Sequence, residues 1–186
     1  MKTDLTSEML LYPCPVVLVT SKLKNIENVL AVSWIGIASS HPEYLTMAIK
    51  TTRLSHSLIL SSGVFTVNIP NKDLLNKVDY CGTFSGRNTN KFDDCEFTSV
   101  PGKCIDVPMI DECPVNIECA VHQTLDLGSH TLIVGKVLGK YIDDGIKLHE
   151  LHESLTPVVY FRPNYYGLEK EKLGAYGQLN KTKGDG

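Results

Sequence analysis

From Val115 to Leu127 the sequence alternates. The odd positions read Val, Ile, Cys, Val, Gln, Leu, Leu and the even ones Asn, Glu, Ala, His, Thr, Asp. Successive side chains of a strand point to opposite faces, so a period of two held this long predicts one long strand with an apolar and a polar face. Gly128-Ser129 then turns the chain into Thr131 to Ile142, a hairpin partner. Shorter strands are predicted at Pro15–Ser21, Tyr44–Lys50, Val64–Ile69 and Thr156–Arg162. The run from Asn28 to Ser40 is apolar without strict alternation, which predicts a strand covered on both faces. Two short helices interrupt the strands. Thr52 is placed to cap one that carries Leu54, Leu58 and Ile59 and ends at Gly63. Asn71 is placed to cap a second, with Leu74, Leu75 and Val78 on one face and Gly82 as its stop. The pattern is mainly β, a small barrel with short flanking helices.

The chain has 186 residues, enough for one domain that buries roughly 70% of its unfolded surface without a disulfide or metal. Residues 1–180 read as that domain and 181–186 as a frayed tail. The net charge of −3 gives no electrostatic reason to expect nucleic acid or an anionic membrane as a partner. No apolar run is long enough to cross a bilayer, and Pro13 and Pro15 break the first apolar stretch, so neither a membrane span nor a signal peptide is expected. A cytoplasmic protein is the reading. Six cysteines (14, 81, 95, 104, 113, 119) lack the C-x-x-C spacing of zinc or redox sites and read as reduced, largely buried thiols. An iron–sulfur cluster is the alternative.

Familiar nucleotide signatures are missing: there is no G-x-G-x-x-G after a strand, no P-loop and no G-x-S-x-G elbow. His149 and His152 are three apart, without an evident third ligand, and no metal site is assigned. The stretch Lys50-Thr-Thr-Arg53-Leu-Ser55-His56 lies where a strand hands over to a helix. Free N–H groups, hydroxyls and a guanidinium at such a start can hold a phosphate, or the segment can be ordinary capping with surface charge. Ser85 to Phe92 is a polar loop, and His130 follows a tight turn into a strand.

In order along the chain stand Asn28-Val-Leu-Ala-Val-Ser-Trp34, Ser39-Ser-His-Pro42, Arg53-Leu-Ser-His56 and Gly63-Val-Phe-Thr-Val-Asn-Ile-Pro70. Val78-Asp-Tyr-Cys-Gly82, Ser85-Gly-Arg87, Lys91-Phe92, Gly128-Ser-His-Thr131 and Val134-Gly-Lys-Val137 follow. Over Tyr12 to Gly167 this series resembles the flavin reductase-like family with the FMN-binding split β-barrel, its flavoredoxin branch above all. The resemblance implies a homodimer with one FMN per subunit near the subunit interface. It implies that Ser33, Trp34, Ser39 and Ser40 line the flavin. Lys50, Arg53, Ser55 and His56 would belong to the phosphate segment, and Ser85 and Lys91 would approach from the loop. His130 would lie where a nicotinamide donor, NADH or NADPH, meets the ring. The implied function is an oxidoreductase passing electrons through FMN to a small-molecule or protein acceptor. The alternatives are a non-catalytic FMN electron carrier and an FMN-binding protein. Fold alone does not choose among them.

Overall fold

The structure is a computed structural model that describes residues 9–147 and 151–168. His149 and the tail expected at 181–186 lie outside these residues. The elements run β1 (Cys14–Pro15), β2 (Val17–Leu23), β3 (Ile26–Val32), β4 (Ile35–Ser40), β5 (Glu43–Lys50), α1 (Leu54–Ser62) and β6 (Val64–Ile69). A 3-10 turn at Lys72–Leu74 leads into α2 (Leu75–Thr83), followed by α3 (Lys91–Asp94), β7 (Ser99–Val100) and β8 (Met109–Ile110). Then come β9 (Val115–Asp126), β10 (His130–Ile142), α4 (Leu151–Ser154), β11 (Val158–Phe161) and β12 (Asn164–Gly167).

Seven strands form one antiparallel sheet in the order β3-β2-β6-β9-β10-β5-β4. Laid flat, six inter-strand steps would separate its edges by roughly 29 Å. Yet β3 and β4 are consecutive, with only Ser33 and Trp34 between them. That link reaches roughly 11 Å at full stretch. The sheet therefore curls until its two edges meet at Ser33-Trp34, and the chain forms a split β-barrel. This corrects the single strand expected from Asn28 to Ser40. β3 pairs with β2, and β4 pairs with β5 on the other edge. The change of partner happens at Trp34, whose carbonyl accepts a hydrogen bond from the Ala48 N–H at 2.9 Å.

Two apolar cores follow from the alternation of β2 and β3. Val17, Val19, Leu30 and Val32 point into the barrel with Phe65 and Ile133. Val16, Leu18 and Val29 point outward, where Val78 of α2, Phe92 of α3 and Val158 of β11 cover them. The expectation of two covered faces thus holds for β3. It fails for β4, where Ile37 is 82% exposed. The three-stranded sheet β1-β11-β12 lies beside the outer core. Helix α1 stops at Gly63 in the left-handed region (φ 73°), as its sequence suggests, but its N-cap is Arg53 rather than Thr52. Asn71 does not cap with its side chain; its Oδ1 accepts from the Thr156 N–H, and α2 runs past Gly82 to Thr83. Among the described residues, no helix is long and apolar enough to cross a membrane, and no three His, Cys, Asp or Glu side chains gather as a metal site. All six cysteines are free thiols.

The polar face of β9 is not solvated in its first half. Glu118 is fully buried. Its carboxylate accepts from the Tyr141 hydroxyl at 2.6 Å and from the Lys103 and Cys104 N–H groups, each at 2.9 Å. Asn116 donates to Asn68 Oδ1 and to the Ile110 carbonyl. The even residues of β9 therefore hold down the segment 103–110, which carries no long strand or helix of its own.

Burial alone would raise the Glu118 pKa, but bonds from Tyr141 and the Cys104 and Ile105 backbone outweigh it and hold it below the ordinary carboxylate value. Glu118→Gln should therefore cost roughly 1.5–3 kcal/mol of unfolding free energy at neutral pH, measured by urea denaturation. A depressed folded pKa contributes stability that is complete above the unfolded value of about 4.3 and is lost as pH falls through the folded value. Wild type should thus lose more stability than the variant on acidification below the carboxylate range. Parallel pH profiles would contradict this role for Glu118.

Candidate functional site

The barrel seam opens onto a cleft of about 720 Å³, within the range typical of small-molecule sites. Ala31, Val32, Ser33 and Trp34 supply its seam wall, and Lys50, Arg53, Ser129 and His130 line it from the strand ends and the α1 start. Opposite stand Asp79 and Thr83 of α2 with Tyr160, Arg162 and Tyr165 of the β11–β12 hairpin. The Tyr165 hydroxyl donates to Asp79 Oδ1 at 3.0 Å and ties that hairpin to α2.

Strand pairing brings the chemistry together. His130 at the start of β10 faces Lys50 at the end of β5 in the ladder. The Trp34 indole and the His130 ring lie 4.7 Å apart, tilted by 34°. Ser129 Oγ lies 2.9 Å from His130 Nδ1. Partial burial, and then the charge of Lys50, pull the His130 pKa below its ordinary value, so the imidazole is neutral at pH 7. Four residues after Lys50, α1 begins with no side-chain cap and no acidic residue in its first turn. Its unpaired N–H groups and positive dipole end therefore stand with Lys50 and Arg53, an arrangement suited to an anion.

Of the residues singled out in the sequence, Ser33, Trp34, Lys50, Arg53 and His130 meet on this cleft. The others lie elsewhere in this chain. Ser39 and Ser40 sit at the far end of β4, opposite Tyr44 and Glu43, roughly 17 Å along the strand from Trp34. Ser55 is fully buried, and its hydroxyl accepts from Ser21 and Asn28 rather than facing the cleft. His56 Nε2 is 2.8 Å from Thr131 Oγ1, a contact that joins α1 to β10. Ser85 is exposed, and its Oγ accepts from the Arg87 N–H within its own turn. Lys91 does not reach out from its loop. Its ammonium is buried and donates to the Val29 carbonyl at 2.9 Å and the Cys81 carbonyl at 2.7 Å. Burial lowers its pKa, and nearby Arg53 lowers it further. Asp79, Thr83, Tyr160 and Arg162 were not expected in the wall. They arrive from α2 and the β11–β12 hairpin, far along the chain from Trp34, and carry no local motif.

A cleft with cations and a helix start at one end, and the tilted Trp34–His130 ring pair beside them, suits an aromatic ligand with an anionic tail. The flavin reductase like domain matches residues 9–169. An uncharacterised protein of Archaeoglobus fulgidus is 38% identical over 137 residues, covering 74% of this chain and 77% of that one. The crystal structure of a flavoredoxin from Methanosarcina acetivorans superposes with a TM-score of 0.90 at 26% identity, covering 97% of this chain and 98% of the other. A flavoredoxin of Desulfovibrio vulgaris (Miyazaki F) gives 0.87 at 27% identity, covering 96% and 100%. The chain belongs to the flavin reductase like domain family. With that membership come a flavin cofactor and flavin-related oxidoreductase chemistry.

Lys50→Met should move the His130 titration midpoint, followed by NMR, upward toward 6.5, because it removes a positive neighbour of the imidazolium. The return should be incomplete, since burial is the larger cause and remains. A midpoint unmoved by Lys50→Met would separate the two residues electrostatically.

Proposed function

We propose that the chain is an FMN-dependent oxidoreductase of the flavin reductase type. It takes electrons from NADH or NADPH and delivers them through FMN to a small-molecule or protein acceptor. The observation that carries this reading is the meeting of an uncapped α1 start, Lys50 and Arg53 at one end of the cleft walled by Trp34 and His130. One helix terminus and two cations suit one phosphate, which favours FMN over a dinucleotide flavin. Bound FMN would supply the hydride and electron chemistry.

The chain's own contribution is binding, orientation and shielding. Lys50 and Arg53 offset the charge of the phosphate, and Arg53 offers a planar fork of donors to its oxygens. Trp34 and the apolar residues of the seam exclude water from one face of the ring. His130, neutral and engaged at Nδ1 by Ser129, presents Nε2 to orient the nicotinamide or to pass a proton.

A homodimer belongs to the same proposal. Ile37, Leu125, Leu127 and Leu138 are exposed on or beside β4, β9 and β10. Such residues suit a second copy of this chain. Ser39 and Ser40, remote from the cleft of their own chain, would approach ligand only through such an assembly.

The experiment is to release and identify the chromophore of the purified protein and then add each nicotinamide anaerobically. FMN should be the main flavin, the visible flavin band should bleach with NADH or NADPH, and light scattering should give twice the chain mass. Recovery of FAD, or of no flavin after reconstitution, would defeat the cofactor reading. Bleaching by dithionite but by neither nicotinamide would assign the electron-carrier role instead.

A further inference from the structure

A second cavity, of about 600 Å³, adjoins the Trp34–His130 cleft at the seam. Met9, Tyr12, Ser33, Trp34 and Ala48 line both. The two differ in chemistry. Lys50, Arg53, Asp79 and Arg162 stand around the first. None of the described residues that line the second is charged. Two of its few polar side chains are committed within the chain: Cys14 Sγ donates to the Leu11 carbonyl at 3.3 Å, and Thr46 Oγ1 donates to the Gly36 carbonyl at 3.4 Å. Among the described residues, the Ser33 hydroxyl has no hydrogen-bond partner and is left to donate. An ion entering this cavity would lose water without compensation. An uncharged molecule with a carbonyl oxygen would not.

Gly36 stands in the wall of this cavity, inside β4 and opposite Thr46 of β5. Glycine in a strand interior costs stability, and it marks a bulge or the close approach of another backbone or a ligand. The first two causes do not apply. The irregularity of β4 lies further on, between Ile37 and Ser39. The Gly36 φ is outside the left-handed region, and a Cβ at this position would meet no atom within 4 Å. The space in front of Gly36 is therefore kept open and is not filled by the chain. Across it, Leu10 is 64% and Leu11 91% exposed. Exposed leucines at the rim of an uncharged cavity suit an apolar ligand.

We propose that the cavity at Gly36 is the acceptor site, and that it takes a small, flat, uncharged carbonyl compound of the quinone class. The proposal rests on the reading of the chain as a nicotinamide-dependent flavin oxidoreductase. Continuity with the cleft favours an electron acceptor, since a molecule seated here lies against the same seam residues that wall the flavin site. The volume is that of a small-molecule site, and the lack of charge selects against ionic acceptors. The electrons balance. NADH or NADPH gives up a hydride, two electrons and one proton, and becomes NAD+ or NADP+. FMN relays them, solvent adds the second proton, and two O–H bonds form as the quinone leaves as hydroquinone.

The test uses menadione, an uncharged naphthoquinone, beside a naphthoquinone sulfonate and ferricyanide. In equilibrium dialysis against the purified holoprotein, menadione should bind saturably and the sulfonate at least about tenfold more weakly. Gly36→Leu puts a side chain into the open space and should lower menadione affinity and kcat/KM about tenfold. Its FMN affinity and its rate with ferricyanide, an anion with no place in such a cavity, should be unchanged. Leu11→Glu alters a residue too exposed to disturb the core and should cost about three- to tenfold in the same direction, which decides the matter should Gly36→Leu fail to fold. Equal binding of the two quinones, or menadione turnover unmoved by either variant, would overturn the proposal. So would a Gly36→Leu protein that becomes monomeric with menadione turnover intact, since that gives the face to a second copy of the chain. If neither nicotinamide delivers electrons but dithionite-reduced protein still reduces menadione, the donor reading fails and the acceptor site stands. Bound menadione that the reduced protein leaves unreduced would overturn the site itself.

Discussion

Ser33 and Trp34 join the two edge strands of a seven-stranded sheet, and the rest of the molecule is arranged around that short link. Because it cannot span a flat sheet, the sheet must close on itself. Closure fills the inside of β2 and β3 with the barrel core and leaves their outside to α2, α3 and β11. It also sets the indole of Trp34 beside the ends of β5 and β10, where Lys50 and His130 are ladder partners. The cleft is therefore a consequence of how the barrel shuts. The chain leaves β5 at Lys50 and enters α1 four residues later, so the cationic helix start arrives at the same place without a dedicated loop.

Two buried charged groups, Lys91 and Glu118, are satisfied largely by backbone. Lys91 illustrates the physics. Strand β3 is a sheet edge, with carbonyls that no neighbouring strand takes, and the last carbonyls of a helix have no intrahelical partner. The Lys91 ammonium meets one of each, Val29 on β3 and Cys81 near the end of α2, and the negative end of the helix dipole favours the charge. Glu118 does the reverse, a carboxylate served by consecutive backbone N–H groups. Both residues hold irregular chain against regular elements. Deep burial pushes the Cys81 and Cys119 thiols up to about 12, which suits packing rather than reactivity.

The sequence made the local features legible. Period-two alternation marks β9, the Gly128-Ser129 turn marks the hairpin, and Gly63 marks the end of α1 because each signal sits within a few residues of its effect. The meeting of Lys50 and Arg53 with a helix start was readable for the same reason. The break at Ser33-Trp34 was not, since a strand that changes neighbours and one that continues present the same apolar run. Nor was the burial of Glu118, whose covering segment lies about fifteen residues upstream and has no periodicity. Ser55 and Lys91 stand in legible motifs, but whether a hydroxyl or an ammonium turns toward a cleft or a core depends on long-range packing. Asp79 and Arg162 enter the site wall from elements that no local pattern connects to Trp34.

Trp34 is the only tryptophan in the chain, so its emission reports on the seam wall alone. The direct measurement is a titration of flavin-free protein with FMN, following tryptophan fluorescence. If the seam, Lys50, Arg53 and the α1 start together form the flavin site, emission should be quenched and the quenching should saturate at one FMN per chain. Tight binding of FMN with Trp34 emission unchanged would put the flavin elsewhere and contradict the account.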